Sequence, residues 1–499
     1  MTSPVRRIGV SHGEAAAPVE VHRWRAFSLL AAAFLMTVID LTIVNVALPT
    51  IGRKLHFPES DLQWVVTAYA LTFGGFLLFG GRAADLLGRR RLFIAGLAIF
   101  SAASLACALA VSDTFLIIMR GVQGLGAAVV LPAALSIVMN MFGEGAERNK
   151  ALGLWGGIGA AAATVGVLAG GLLTRYAGWQ YIFFLNVPIG GAALLLARRV
   201  VPESRLAGAR RRYDPLGAVT VTGSLVMLVY AISQAPTAGW TATRTLALLA
   251  ASAALLAGFL VLETRAQAPL LPLRLFRLKT LAGSNAVGFL LGASFFAFIF
   301  IATLYMQQVL GYSALKTGFA WLAASLTSVA LAGVSQMLVT RASAKLVMAA
   351  GMVLIGAGIL WATQVPVHGN FWADLAGPFL VTGAGTAFTF IPVSIGALAG
   401  VAERDAGVAS GLMNTSQQLG GAIGVAVAST IAATHASTLL RQGAVPAAAL
   451  TSGFQWALWA CGAIGLAAVP VAFLLVRRRE LATAVATTSG KPQPAPVKV

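Results

Sequence analysis

Two ionisable side chains stand inside long apolar runs of this chain, and their chemistry is that of a proton switch. Asp40 lies in the run 34–48, FLMTVIDLTIVNVAL, and Arg120 lies in the apolar run 114–141. A charged side chain at the centre of a membrane helix opposes insertion by about 2.5 to 3.5 kcal/mol, so such residues usually face a polar interior. Burial disfavours the charged form of a carboxyl group, and a neighbouring cation favours it. An acid that alternately gains and loses a cationic partner can therefore load and release a proton.

The spacing makes a meeting of the two groups feasible. Arg120, Gln123, Gly124 and Ala127 follow the 3, 4 and 7 spacing of one helix face. Asp40 falls about 15 Å before the outer end of its run, and Arg120 about 10 Å after the start of the other, at about 1.5 Å per residue. At 4 Å and an effective dielectric near 20 such a pair is worth up to about 4 kcal/mol. A static buried pair that stabilises packing, or an arginine that snorkels outward, is the plain alternative. The five histidines lie in the tail or the links, and Cys107 and Cys461 lie in apolar runs. Neither a metal site nor a disulfide framework is expected.

The elements that must position these groups are membrane spans. Of 499 residues 58% are hydrophobic and only 10% charged, which excludes a soluble globular composition. Apolar runs predict about fourteen helices, at 26–50, 62–81, 92–111, 114–141, 152–174, 181–200, 216–234, 245–262, 281–304, 316–338, 345–363, 373–398, 407–432 and 453–476. The formal net charge of +19 could suggest nucleic acid. Its placement argues against that, because nearly all the cations fall in the tails and in alternate links. This is the positive-inside pattern, and it predicts that both termini are cytoplasmic.

The link beginning at Val201 is charged and contains proline, and it divides the chain near its middle. The sequence AERN at 146–149 precedes the fifth span, and AERD at 402–405 precedes the thirteenth. Together these predict an all-α polytopic membrane protein of two six-helix bundles joined by two linking helices. The expected boundaries are a tail at 1–25, a first bundle at 26–200, a charged loop and linking helices at 201–263, a second bundle with its preceding loop at 264–476, and a tail at 477–499.

Several stretches then bear on function. The stretch 81–91, GRAADLLGRRR, joins the second and third spans. Gly81 and Gly88 permit a tight turn, and Asp85 beside Arg89 and Arg90 suits an ion-pair latch; an ordinary basic link is the alternative. The stretch resembles the signature loop of the major facilitator superfamily, Gly-x-x-x-Asp-x-x-Gly-Arg-Arg, departing from it at Ala83 and Leu86. Residues 39–49, IDLTIVNVALP, resemble the first-helix motif of the fourteen-helix drug:proton antiporter branch. Gly166, Gly170 and Gly171 resemble the glycines of that branch's fifth-helix motif, with Val167 where the motif has proline. Further likeness runs through 179–190, 273–276 and 409–421, so the resemblance covers residues 25–476.

The resemblance implies a major facilitator fold, a role for Arg120 in proton transfer, and a role for Asp85 and Arg89 in holding one state closed at the cytoplasmic face. Asn45, Gln123, Asn285, Tyr305, Asn414 and Gln418 are candidate lining residues of a substrate cavity, though intramembrane amides also glue helices together. No Walker A pattern supports ATP hydrolysis, and a membrane enzyme would need a second buried titratable group besides Asp40. The expected function is export of small amphiphilic molecules in exchange for protons, with Asp40 the protonation site. A proton gradient is the energy source, no cofactor is expected, and the chain is expected to be a monomer in the plasma membrane. Proton-coupled uptake and lipid export are the rival readings.

Overall fold

The computed structural model describes residues 20–58, 61–142, 146–204, 215–266, 269–271, 273–341, 343–401 and 406–477, and among these there is no strand. The first group of helices is α1 (Glu20–Lys54), α2 (Trp64–Leu87), α3 (Arg89–Ala108), α4 (Asp113–Met141), α5 (Ala146–Tyr176), α6 (Tyr181–Phe184) and α7 (Asn186–Val200). A hairpin of α8 (Pro215–Ala238) and α9 (Thr243–Arg265) follows. The second group is α10 (Lys279–Leu304), α11 (Ala314–Arg341), α12 (Ala344–Trp361), α13 (Ala376–Ala397), α14 (Ala406–Arg441) and α15 (Pro446–Leu475). The short α6 and α7 form one crossing broken at Leu185, so the helices make fourteen crossings.

Twelve of the described spans are long and apolar enough to cross a membrane. The other two crossings are α5 and α8. Helix α5 has 31 residues and α8 has 24, each long enough to cross. Helix α5 runs unbroken through Val167, as the missing proline predicts.

One packing pattern appears twice. In the first group α1 packs on α5, α2 and α3 pack on α4, and α3 packs on α7; in the second α10 packs on α14, α11 and α12 pack on α13, and α12 packs on α15. The two groups meet along α2 with α14 and along α5 with α11, and α8 lies over the first of these seams against both α2 and α14. The AERN stretch opens α5; the AERD stretch, at 402–405, lies outside the described residues.

An even number of crossings puts the start of α1 and the end of α15 on one side, here the tail side. On the opposite, far side the groups are sealed together. Gln307, in a π turn after α10, donates to the Val46 carbonyl of α1 at 2.7 Å. A Cβ on Gly171 of α5 would meet Leu315 Cα of α11 at 2.9 Å, and one on Gly318 would meet the Val167 carbonyl at 2.9 Å. The core divides accordingly. Ile39, Ile43, Leu48 and Ile51 of α1 share a cluster with Phe298 and Phe300 of α10, whereas Phe27, Leu30 and Met36 cluster only with their own group.

Towards the tail side α11 loses its cover. Its far-side half exposes a narrow stripe at Lys316 and Phe319, but Val329, Gly333, Val334, Met337 and Leu338 are all exposed, about half the helix circumference. The α2/α14 seam stays closed there, with a Cβ on Gly411 reaching Leu78 at 2.8 Å. The bundle is thus sealed on the far side, and the tail-side half of α11 is its more exposed half.

Candidate functional site

Asp40, Arg120 and Gln123 come together in one buried network, with exposures of 0%, 1% and 0%. Arg120 Nη1 donates to Asp40 Oδ2 at 2.5 Å and to Gln123 Oε1 at 2.7 Å, while its Nε donates to the Val65 carbonyl of α2 at 2.9 Å. Gln123 Nε2 donates to Asp40 Oδ1 at 2.8 Å and to Ser104 Oγ of α3 at 2.7 Å. Asn186 Nδ2, on α7, donates to the same Asp40 oxygen at 2.9 Å. The two carboxylate oxygens accept from three side-chain donors, one of them the guanidinium. The Tyr69 ring covers the guanidinium at 4.3 Å and the Phe183 ring lies 5.7 Å away, so apolar faces close the site against water.

Local sequence explains the convergence. Gly124 lets α4 press on α2, since a Cβ there would lie 2.5 Å from the Tyr69 carbonyl, and this brings Arg120 within reach of Val65. The glycines of the fifth helix do the same for α1. A Cβ on Gly166 would lie 3.1 Å from the Ile39 carbonyl, and one on Gly170 would lie 2.7 Å from the Ile43 carbonyl. Gly171 faces α11 instead, so this glycine group links the backbone flanking Asp40 to the far-side seal. The break at Leu185, with Pro188 in the first turn of α7, sets Asn186 at a helix start beside Asp40.

The other expected site residues lie apart from this network. Asn45 bonds its own helix at the Leu41 carbonyl, 3.0 Å, and Asn414 does likewise at Ser410, 3.1 Å. Asn285 accepts from Ser416 at 3.2 Å, joining α10 to α14, and Tyr305 donates to the Pro366 carbonyl at 2.7 Å. The Nε2 atoms of Gln417 and Gln418 are buried without a partner in the midst of α14. Gly81 lies in α2 against Pro132, and Asp85 falls in the last turn of α2, its side chain outside the described residues.

Gly88 makes the turn between α2 and α3 with φ of 114°, a value that favours glycine. Arg89 and Arg90 begin α3, where their amides donate to Ser204 O at 2.9 Å and Glu203 Oε1 at 3.1 Å. Glu203 also pairs with the Arg90 and Arg91 side chains at 3.7 Å. The loop is therefore fastened to the segment after α7.

The sequence profile of the Major Facilitator Superfamily matches residues 30–425, which include the whole of this network. The chain belongs to the Major Facilitator Superfamily. Its relatives include the cephamycin export protein CmcT of Amycolatopsis lactamdurans, 38% identical over 81% of this chain and 84% of that protein. The puromycin resistance protein pur8 of Streptomyces alboniger is 35% identical over 94% of this chain and 95% of its own. The multidrug resistance protein Stp of Mycobacterium tuberculosis is 35% identical over 81% of this chain and 75% of its own. Among solved structures, an auto-inhibited POT family peptide transporter superposes with a TM-score of 0.66 at 15% identity, covering 91% of this chain and 97% of that one. The nucleoside transporter NupG gives 0.63 at 12%, covering 91% and 100%. These two likenesses show the fold.

For this Major Facilitator Superfamily chain, sequence reasoning reaches Asp40, Arg120 and Gln123 but passes over Asn186, Ser104 and Tyr69. Asn186 leaves a usable signal, an amide in the apolar run YIFFLNVPIG. Ser104 and Tyr69 leave none, because small hydroxyls and tyrosines recur through the spans.

Proposed function

We propose that this chain exports small amphiphilic molecules from the cytoplasm in exchange for protons, by alternating access, with Asp40 the protonation site and Arg120 its switchable partner. The observation that carries this reading is the buried carboxylate held by Arg120, Gln123 and Asn186. The export and resistance roles for which CmcT, pur8 and Stp are named support outward transport of drug-like substrates. On this reading the tail side is cytoplasmic, both termini face it, the chain works as a monomer without nucleic acid or cofactor, and it catalyses no covalent reaction.

Protonating Asp40 removes its charge and with it the attraction that holds Arg120 Nη1. Helix α1 is then free to shift against α5, whose Gly166 and Gly170 rest on Ile39 and Ile43. The shift reaches the far-side seal, because Val46, about 9 Å along the same helix, accepts from Gln307. One proton crossing about 150 mV supplies roughly 3.5 kcal/mol, enough to hold about a 300-fold gradient of a neutral solute. With one buried acid in the network, neutral or monovalent amphiphiles fit the exchange better than dications.

The test is transport in membrane vesicles of defined orientation. Substrate accumulation in inverted vesicles on imposing an inside-acid gradient is the expected result. Accumulation in right-side-out vesicles under an outside-acid gradient would replace export with uptake.

A further inference from the structure

Four arginines converge on one hollow at the tail-side end of the first helix group. Arg23 of α1, Arg90 of α3, and Arg198 and Arg199 of α7 line a cavity of about 490 Å³, together with Asn140 of α4 and Ser204. Orientation in a membrane accounts for cations at this level, but it requires only their number and not their gathering around a shared space.

The four are not equivalent. Arg90 is committed to the protein, since its Nη1 donates to the carbonyls of Val201 at 3.2 Å and Arg198 at 3.5 Å, and its Nε lies 3.7 Å from Glu203. Glu203, the acid at the rim, is shared between Arg90 and Arg91. The side chains of Arg23, Arg198 and Arg199 have neither an acid nor a hydrogen-bond acceptor among the described residues. Three guanidinium forks without a partner among the described residues therefore face one cavity. Planar forks of this kind match the paired oxygens of a phosphate.

Exposed apolar side chains lie one helical turn from two of these arginines. Leu195, 78% exposed, precedes Arg198 and Arg199 by three and four residues, so it lies on the same helix face one turn deeper into the bilayer. Leu196 beside it is 47% exposed. Acyl chains attached to a phosphate at Arg198 and Arg199 would find this apolar surface one turn along α7.

We propose that this hollow binds the phosphate headgroup of an anionic phospholipid from the tail-side leaflet, with Arg23, Arg198 and Arg199 as its ligands and Arg90 as the fixed wall. The lipid would clasp the ends of α1, α3, α4 and α7, all in the helix group that carries Asp40.

The test uses the purified full-length chain in detergent, titrated with phosphatidylglycerol or phosphatidylcholine and read by thermal unfolding and native mass spectrometry. Phosphatidylglycerol should raise the melting temperature saturably and phosphatidylcholine should not. In the variant Arg198→Gln/Arg199→Gln the apparent affinity should fall roughly 10- to 30-fold. The control Arg265→Gln/Arg341→Gln removes the same charge from exposed tail-side positions outside the hollow and should retain affinity. Equal losses in both variants would reduce the effect to diffuse surface charge and overturn the site. Full competition by glycerol phosphate without acyl chains would assign the hollow to a soluble phosphate and overturn the lipid. Both variants are made at exposed positions, and unchanged melting temperatures in phosphatidylcholine verify that they fold.

Discussion

Three donors hold the Asp40 carboxylate, and each can be removed separately. Asp40→Asn keeps the shape but cannot cycle a proton, so gradient-driven accumulation should fall at least about tenfold while exchange of substrate without a gradient persists, as read in vesicle assays. Arg120→Met leaves a buried charge without its cation and should lower stability by about 3 to 5 kcal/mol in thermal unfolding. The double variant Asp40→Asn/Arg120→Met should recover a large part of that loss, because the unpaired charge is gone. Asn186→Leu removes one hydrogen bond to an ionised acceptor, a smaller loss of about 1.5 to 3 kcal/mol. If Arg120→Met proved no worse than Asn186→Leu, the guanidinium would not be the principal partner of Asp40.

At the scale of helices, glycines decide how near the polar groups approach. A Cβ at Gly124 meets the Tyr69 carbonyl at 2.5 Å, a backbone atom that moves only if α2 moves. Gly124→Ala should therefore cost about 1 to 3 kcal/mol and draw Arg120 away from Val65, lowering transport as well. Gly121→Ala, three residues earlier on the same helix, has only Thr72 Cγ2 at 3.8 Å nearby and should be tolerated. The 3, 4 and 7 spacing puts Gly124 and not Gly121 on the face of Arg120, but the sequence does not say which helix that face presses against. The difference lies in which side of α4 faces α2, a rotation fixed by packing.

For the molecule as a whole, the far side is closed and α11 is uncovered towards the tails. Cysteine labelling can measure this, because the native Cys107 and Cys461 are both buried and give a low background. Gly333→Cys, in open space, should react readily with a maleimide, and Ala320→Cys, buried in the far-side half, should not. Gln307→Leu deletes the bond to Val46 that helps close the far side. A net hydrogen bond of about 1 kcal/mol shifts the balance of states roughly fivefold, so this variant should raise the labelling of Ala320→Cys by that order. Labelling of Gly333→Cys and Ala320→Cys at equal rates would contradict this difference in exposure along α11.

The membrane writes its demands into composition, so the sequence alone determined the all-helical class and the fourteen crossings, and it marked Asp40 and Arg120 by the cost of placing charge in apolar runs. Depth along two helices sufficed to bring those two together, because rise per residue is fixed by backbone geometry. Tertiary structure decided the rest. Asn186 reached Asp40 through a break at Leu185, Tyr305 turned to the Pro366 carbonyl, and arginines of α1, α3 and α7 closed around one hollow. Each of these depends on helix rotation and crossing, which arise from packing among distant segments and leave no periodic trace in the local sequence.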